Sequence, residues 1–265
     1  MKNLLLALKF LTIVPLPSLK GRIREVDLGK SSVMFPVVGY LQGILIVLTG
    51  IVFRGIYNEE ISATLMVAVL ILTNGGFHLD GLSDTFDALA SRKTREEKLR
   101  IMKDSSAGPA GVVAVVLDIL LKFLLIKKLL LVSGAGLLFI LFFPAIGKWT
   151  MVAAMYSGKS ARTDGLGRIF IEQTRGGIFL ASTFILTLLM AFTAFYAGRN
   201  NAGGSVFLFC LFSLPAVYIF TRIAVHIFQK RFGGLTGDNL GAISELSEVF
   251  FLLLSAGLVS QLSLL

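Results

Sequence analysis

Three aspartates and one of the two histidines lie within ten residues in the segment GGFHLDGLSDTFD, residues 75–87. Asp80, Asp84 and Asp87 are spaced i, i+4 and i+7, so on a helix they share one face. Like charges crowded on one face repel one another unless a cation lies between them. Oxygen-only ligands suit a hard ion such as Mg²⁺, which bridges to substrate phosphates. The spacing predicts a phosphate-handling site, against the plainer interpretation of a solvated helix face.

A second acidic cluster lies near the carboxyl end, in the segment GDNLGAISELSE, residues 237–248. Asp238, Glu245 and Glu248 recur at +7 and +10 and again share one helical stripe. Asp238 also fits a helix N-cap, an interpretation that leaves the two glutamates unexplained. Each cluster borders an apolar segment, so we expect them to face each other across a cavity. His78 is the candidate general base, because an ordinary imidazole titrates near neutral pH; the alternative is that it orients an aspartate.

The composition places the chain in the membrane. It is 55% hydrophobic and 15% charged, with a mean hydropathy of +0.83, which is more apolar surface than a soluble domain of this length buries. We expect an all-α, polytopic membrane protein with about seven transmembrane helices in a single domain, residues 1–265. The candidate spans lie near residues 37–53, 61–76, 108–126, 130–156, 178–197, 204–221 and 249–265.

The basic residues predict the orientation. Of 25 lysines and arginines, nineteen fall in four segments that carry the acidic clusters, and four fall in the short turns on the opposite side. This bias places the amino terminus and the acidic clusters in the cytoplasm and the carboxyl terminus outside. Lys127 and Lys128 lie on the wrong side for this topology. We interpret the net charge of +9 as topology and contact with anionic lipid, and not as nucleic-acid binding.

Two further segments on this side combine basic residues with glycine. Arg100 and Lys103 precede Gly108 and Gly111 at the start of a span, where backbone amides and a helix N-terminus suit phosphate oxygens. The plainer interpretation is a basic flank with a Gly/Pro helix start. Residues 157–168 superficially resemble a P-loop but lack its first glycine and its strand, so we reject that motif. The glycine-rich loop around Arg162 fits either a diphosphate or an ordinary interfacial loop.

The remaining features are structural. Residues 1–17 predict an interfacial helix that ends near Pro15 and Pro17, and Lys9 interrupts the leucine run in a way that a signal peptide does not. Cys210 is the single cysteine and excludes a disulfide within the chain.

Three motifs together resemble the cobalamin synthase family: GGFHLDGLSDTFDAL at 75–89, RIMKDSSAGPAG at 100–111 and GDNLGAISE at 237–245. That family is the membrane-bound adenosylcobinamide-GDP ribazoletransferase, and the resemblance extends over essentially the whole chain. It implies that a ribose hydroxyl of α-ribazole, or of its 5′-phosphate, attacks the phosphate that carries cobinamide and that GMP leaves. It further implies Mg²⁺ as cofactor and a multi-pass protein of a bacterial or archaeal cytoplasmic membrane, with the site facing the cytoplasm.

On this basis each motif residue receives a role. His78, Asp80 and Asp84 are the candidate catalytic residues. The metal ligands are assigned to Asp80, Asp84, Asp87, Asp238 and Glu245, and the substrate-binding residues to Arg100, Lys103, Asp104, Ser105, Gly108, Arg162 and Gly237. The expected partners are the two substrates and the bilayer; the sequence leaves the oligomeric state open, a homo-oligomer included.

Two other functions fit parts of the pattern. CDP-alcohol phosphotransferases also carry spaced aspartates at a membrane surface, but their motif continues Asp-Gly-x₂-Ala-Arg where this chain has Asp-Gly-Leu-Ser-Asp. A transporter would need ionisable residues inside the spans, and Asp118, Lys122 and Lys148 are such residues. Asp118 and Lys122 are four apart and are expected to pair with each other. The acids otherwise collect at one boundary, which favours an enzyme.

Overall fold

The chain folds into a bundle of helices. The computed structural model describes residues 1–16, 23–104, 106–132, 134–197 and 202–262. Within these ranges the helices are α1 (Lys2–Leu11), α2 (Glu25–Ser31), α3 (Phe35–Arg54), α4 (Glu59–Asn74), α5 (Phe77–Ala90), α6 (Arg95–Ile101), α7 (Pro109–Leu130), α8 (Ala135–Ser157), α9 (Gly165–Gln173), α10 (Gly176–Ala197), α11 (Ala202–Phe232) and α12 (Gly237–Leu262). The predicted all-α class is confirmed.

Six helical segments are long and apolar enough to cross a membrane, and the bent pair α4–α5 would make a seventh. This agrees with the expected count of about seven. The last span differs most from the prediction, because α12 begins at Gly237 and not near residue 249. Glu245 and Glu248 are therefore inside this helix, about two and three turns from its start, where buried lysines neutralise them.

Helix α8 forms the centre of the bundle. Its most apolar stretch is 89% buried, whereas the corresponding stretch of α10 is only 22% buried and forms part of the outer surface. Helices α3, α11 and α12 pack around α8. The large buried rings Phe139, Phe142 and Phe143 fill the space between them. An apolar shell on all sides is the arrangement expected of a helix that is hydrophobic all round.

A sharp corner separates α4 from α5. Gly75 and Gly76 have φ angles of 63° and 72°, a left-handed conformation that residues with a Cβ rarely adopt. The two helix axes differ by 87° across this corner. The paired glycines of the first motif thus turn α5 away from the direction of α4. Helix α5 packs instead against α12 and α7.

The contact between α5 and α12 is a close approach of two backbones. A Cβ atom at Gly81 would lie 2.7 Å from the carbonyl oxygen of Asp238. Next to it, the side-chain amide of Asn239 donates to the hydroxyl of Thr85 over 3.0 Å. The carbonyl of the same Asn239 side chain accepts from the amide of Thr236, 3.0 Å away, so the first turn of α12 is capped from within. Glycine at position 81 is what brings the two acidic motifs together.

Smaller elements complete the two ends of the bundle. A helix is present at the amino terminus as predicted, but α1 ends at Leu11 and not near Pro15. Lys2 anchors it through an ion pair with Asp27 on α2, 3.0 Å apart. Pro17 lies outside the described residues. Helix α6 begins with a capping box in which the Thr94 amide and hydroxyl hold the pKa of the Glu97 carboxyl below its usual range. Lys127, which lay on the wrong side for the predicted topology, pairs with Glu60 at 2.7 Å.

We expect replacement of Gly81 by alanine to destabilise the protein, because the neighbouring atoms are backbone and cannot move aside. Overpacking of this kind costs about 1–3 kcal/mol. Gly257→Ala is the control, since Gly257 lies on α12, the helix that Gly81 contacts, and a Cβ there would meet nothing within 4 Å. Thermal denaturation in detergent measures both variants. Equal midpoints for the two would contradict the close approach of α5 and α12.

Candidate functional site

Four carboxylates converge where α5 meets the first turn of α12. Asp80, Asp84 and Asp87, here called the acidic face, project from α5, and Asp238 approaches from α12. At Asp84 the three other carboxylates all add repulsion, and Arg162 supplies the opposing positive charge. The two acidic motifs therefore meet at Asp238 as expected, but through direct contact of α5 and α12 and not across a cavity. Four like charges with one arginine leave an excess of negative charge that suits a cation.

Arg162 reaches this site from the loop between α8 and α9. Its guanidinium Nη2 lies 3.3 Å from Oδ2 of Asp238. A short backbone pairing fixes the loop to the α11–α12 turn: the Leu235 amide donates to the Lys159 carbonyl over 2.7 Å, and the Ala161 amide donates to the Leu235 carbonyl over 2.8 Å. The Nε atom of Arg162 is buried and has no hydrogen-bond partner among the described residues. The arginine is thus held beside the carboxylates with donor capacity to spare.

Asp87 has a different role from its two neighbours. Its carboxylate accepts hydrogen bonds from the amide of Gly108 at 2.7 Å and the amide of Gly111 at 2.9 Å, at the start of α7. These are the amides predicted to bind a substrate phosphate. The anion at this helix N-terminus is the protein's own Asp87, which satisfies both amides and interacts with the helix dipole. The assignment of Gly108 to substrate binding is corrected accordingly, and Asp87 is an anchor between α5 and α7.

The other predicted substrate-binding residues surround the acidic face, in a region that we call the rim. Arg100 is exposed at the end of α6, and Lys103 pairs over 3.8 Å with Asp164, which precedes α9. The Asp104 carboxylate accepts from the Ser106 amide at 3.1 Å and so shapes the turn before α7. Gly237 is the exposed first residue of α12. Ser105 lies outside the described residues.

Beneath the acidic face is a group of ionisable side chains that we call the buried ion cluster: Asp118, Lys122, Lys148, Glu245 and Glu248, with His78. The Nζ atom of Lys122 lies 3.0 Å from Asp118 and 2.9 Å from Glu248, and it also bonds to Glu245. The Nζ atom of Lys148 lies 2.9 Å from Glu248. The predicted pairing of Asp118 with Lys122 is confirmed, and the cluster joins α5, α7, α8 and α12.

Glu245 belongs to this cluster and not to the group of Asp84 and Asp238. It is only 3% exposed, and its carboxylate oxygens face Lys122 and, at 3.6 Å, Nδ1 of His78. Its assignment as a metal ligand is corrected, because its carboxylate is buried and already bonded to the ammonium group of Lys122. Across the described part of the chain, no three carboxylate, imidazole or thiol groups stand in a ready-made metal-ligand arrangement. The residues that fit a cation are those left without enough positive charge: Asp80, Asp84 and Asp238.

The hydrogen bonds of Lys148 determine the tautomer of His78. An ammonium group has three N–H donors. Those of Lys148 are all used, by Nδ1 of His78 at 3.1 Å, the Ser244 hydroxyl at 3.1 Å and Glu248 at 2.9 Å. Nδ1 must then be the acceptor, so the proton of the neutral imidazole resides on Nε2. In this state His78 is a hydrogen-bond donor through Nε2, and the geometry favours that role over proton removal.

Sequence reasoning missed most of the buried ion cluster. Lys148 was visible only as a charge inside an apolar span, and nothing in its local sequence pointed to Glu248, one hundred residues away. The available signal was composition: two lysines and one aspartate in spans require acidic and basic partners, and Glu245 and Glu248 were the acids nearest to a span.

The chain is similar to a known protein family and to several known proteins. The family model described as cobalamin-5-phosphate synthase matches residues 3–256. An adenosylcobinamide-GDP ribazoletransferase from Thermodesulfovibrio yellowstonii is 35% identical over 257 residues, which cover 94% of each chain. Proteins of the same name from Geotalea daltonii and Fusobacterium nucleatum are 36% and 34% identical and cover 93% and 96% of this chain, and 94% and 96% of their own lengths. No solved structure matches the chain.

We expect Lys122→Met to lower stability strongly, because it leaves Asp118 and Glu245 buried without their cation. Breaking a buried pair costs about 3–5 kcal/mol. Lys127→Met on the same helix is the control, since its pair with Glu60 is partly exposed and such pairs contribute about 1 kcal/mol or less. Denaturation in detergent compares the two. Similar losses of stability in both variants would contradict a larger contribution from the buried ion pairs than from the exposed pair.

We also expect Nε2 of His78 to be protonated and Nδ1 to be unprotonated. The chain has two histidines, so ¹⁵N-histidine labelling gives two pairs of signals, and His226→Gln assigns them. In Lys148→Met the acceptor role of Nδ1 is no longer required, and the proton is expected to move toward Glu245. A protonated Nδ1 in the unmodified protein would contradict the tautomer inferred here.

Proposed function

The chain belongs to the cobalamin-5-phosphate synthase family, and from that premise we propose that it is an adenosylcobinamide-GDP ribazoletransferase. It joins adenosylcobinamide-GDP to α-ribazole, or to α-ribazole 5′-phosphate, and completes the nucleotide loop of cobalamin. The proposed reaction is supported by the family match over residues 3–256. The proposed location of the site is supported by the convergence, at one boundary of the bundle, of Asp80, Asp84, Asp238 and Arg162.

The reaction is a displacement at phosphorus. A ribose hydroxyl oxygen of α-ribazole forms a bond to the phosphate that carries cobinamide, and the bond from that phosphorus to the oxygen of GMP breaks. The hydroxyl loses a proton and GMP leaves with the electron pair. Such reactions depend on positioning and on stabilising charge at the phosphoryl oxygens more than on covalent chemistry of the protein.

We assign charge stabilisation on the protein side to Arg162, with Lys103 and Arg100 at the rim. Arg162 is fixed by the backbone pairing of its loop and by Asp238, and its planar guanidinium suits the two oxygens of a phosphate. Lys103 and Arg100 are exposed, and Lys103 pairs with Asp164, two residues after Arg162. A diphosphate bound there would contact positive charge from Arg162 and Lys103.

We propose that a divalent cation, Mg²⁺ in the first place, is held by Asp84 and Asp238 with Asp80 beside them. When bound, it would neutralise the phosphoryl oxygens of the substrate. The support is the uncompensated charge at Asp84, where Asp80, Asp87 and Asp238 all repel and Arg162 is the opposing group. Asp87, the other assigned ligand, accepts one hydrogen bond on each oxygen from the Gly108 and Gly111 amides and would bind a cation only through its remaining lone pairs.

Asp80 is the candidate for removal of the hydroxyl proton. It is the most exposed residue of the acidic face and lies one turn from Asp84, so a substrate hydroxyl reaches it from solution. His78, with its Nδ1 used by Lys148, is assigned to hydrogen-bond donation and to holding the start of α5. The surplus of lysine and arginine on this side supports a cytoplasmic site in the inner membrane.

The decisive test is GMP release by the purified protein given both substrates, with and without Mg²⁺. We expect release that needs both substrates and the ion. Asp84→Asn should lower the rate by a factor of at least about 10², the size typical for loss of a charged catalytic contact, without changing the thermal midpoint. Glu172→Gln, at a surface pair with Arg168, should behave as the unmodified protein.

Unchanged turnover in Asp84→Asn would remove the acidic face from the mechanism. Full activity after exhaustive removal of divalent ions would contradict the proposed cation site but not the transferase assignment.

A further inference from the structure

A large apolar groove runs between α8, α10 and α11, away from the acidic face. Its cavity volume is about 590 Å³, within the range of roughly 300–1,000 Å³ typical of small-molecule sites. It is lined by Trp149, Tyr156, Gly176, Phe179, Leu180, Thr183, Thr187, Leu211, Leu214, Pro215 and Tyr218. Leu180 on its edge is 67% exposed, and α10 is one of the least buried of the spanning helices. The groove therefore opens toward the lipid.

The depth of the groove matches one leaflet. On α10 its lining extends from Gly176, the first residue of the helix, to Thr187. At a rise of 1.5 Å per residue this is about 16 Å, close to half of the hydrocarbon thickness of about 30 Å. The groove begins at the end of the bundle where the acidic face lies, because α8 ends and α10 begins there. Its length is that of an acyl chain in this leaflet.

One wall of the groove is a series of aromatic rings. The rings of Tyr156 and Phe179 are stacked with centroids 5.0 Å apart, and Phe179 lies 5.7 Å from Tyr218 and 6.1 Å from Trp149. The indole N–H of Trp149 donates to Thr183 at 2.9 Å, so its polar atom is satisfied inside the protein. The two tyrosines stand at the boundary end, the position that amphipathic rings prefer in a bilayer.

Positive charge stands at the same end. The guanidinium of Arg222 lies 6.0 Å from the centre of the Tyr218 ring, and its Nη1 donates to the Tyr218 hydroxyl at 3.3 Å. Arg175 directly precedes Gly176 and is exposed. Among the ion pairs of the described residues, neither arginine has an acidic partner. Basic side chains at headgroup level attract anionic lipid.

We propose that this groove is a binding site for an anionic phospholipid of the leaflet on the acidic-face side. One acyl chain lies against Trp149 and Phe179, and the phosphate is bound by Arg222 and Arg175. The depth of the groove and the unpaired charge at its mouth support this site whatever reaction the protein catalyses. A groove filled only by bulk lipid would show no preference for charge.

Trp149 provides the probe, because it is the only tryptophan in the chain and lines the groove. The full-length protein is placed in nanodiscs of phosphatidylcholine that contain a small fraction of phosphatidylglycerol. Bromine is carried on the acyl chains of one lipid or the other. We expect brominated phosphatidylglycerol to quench Trp149 fluorescence at a lower mole fraction than brominated phosphatidylcholine, and the difference to shrink as salt is added.

Arg222→Gln should reduce the preference about five-fold, which corresponds to about 1 kcal/mol for one basic side chain. Lys230→Gln is the matched control, since Lys230 is exposed on the same helix two turns beyond Arg222 and outside the groove. Thermal denaturation establishes that both variants are folded. Equal quenching by the two brominated lipids in the unmodified protein would overturn the proposal. A preference that survives Arg222→Gln combined with Arg175→Gln would overturn it as well.

Discussion

The structure depends on the placement of two lysine ammonium groups in the interior of a membrane bundle. Lys122 is 2% exposed and Lys148 is fully buried, where an unpaired charge would be prohibitively costly. Each is neutralised by carboxylates from other helices, so the charges are tolerable only when α7, α8 and α12 are in register. The cluster acts as a specificity element: apolar contacts in lipid are interchangeable, but these pairs exist in one arrangement.

The acidic face is held in place by α5, and the position of α5 depends in part on the buried ion cluster. Helix α5 is fixed near its start by His78, in its middle by the backbone contact at Gly81, and near its end by Asp87. Three separate attachments leave little freedom to the aspartates between them. Among the described residues, neither Asp80 nor Asp84 forms an ion pair, and both remain accessible. Catalytic groups need this kind of rigid support, because small displacements cost large factors in rate.

Local sequence patterns predicted what depends on period and composition. The spans follow from the apolar composition. Spacing alone predicts the shared face of Asp80 and Asp84 and the helical stripe from Asp238 to Glu248. Spacing could not separate Asp238 from Glu245, which are seven residues and so about 10 Å apart along the helix, one at the surface and one beside buried Lys122.

Similarly, the amides of Gly108 and Gly111 were correctly identified as an anion site, but the anion proved to be Asp87, twenty-one residues earlier. Partner choice of this sort is set by tertiary packing, which a single sequence does not display.

The order of the elements along the chain has a consequence for biogenesis. Lys122 and Lys148 enter the membrane with α7 and α8, but two of their three counter-ions, Glu245 and Glu248, belong to α12, which is synthesised after both of these helices. Until α12 arrives, the lysines must stay near water or near the translocation machinery, since neither can rest alone in lipid. Helix α5, with its aspartates and His78, is likewise unsuited to lipid before its partners are present. The reactive surface thus comes into existence only after α12 has been synthesised and has packed against α5, α7 and α8.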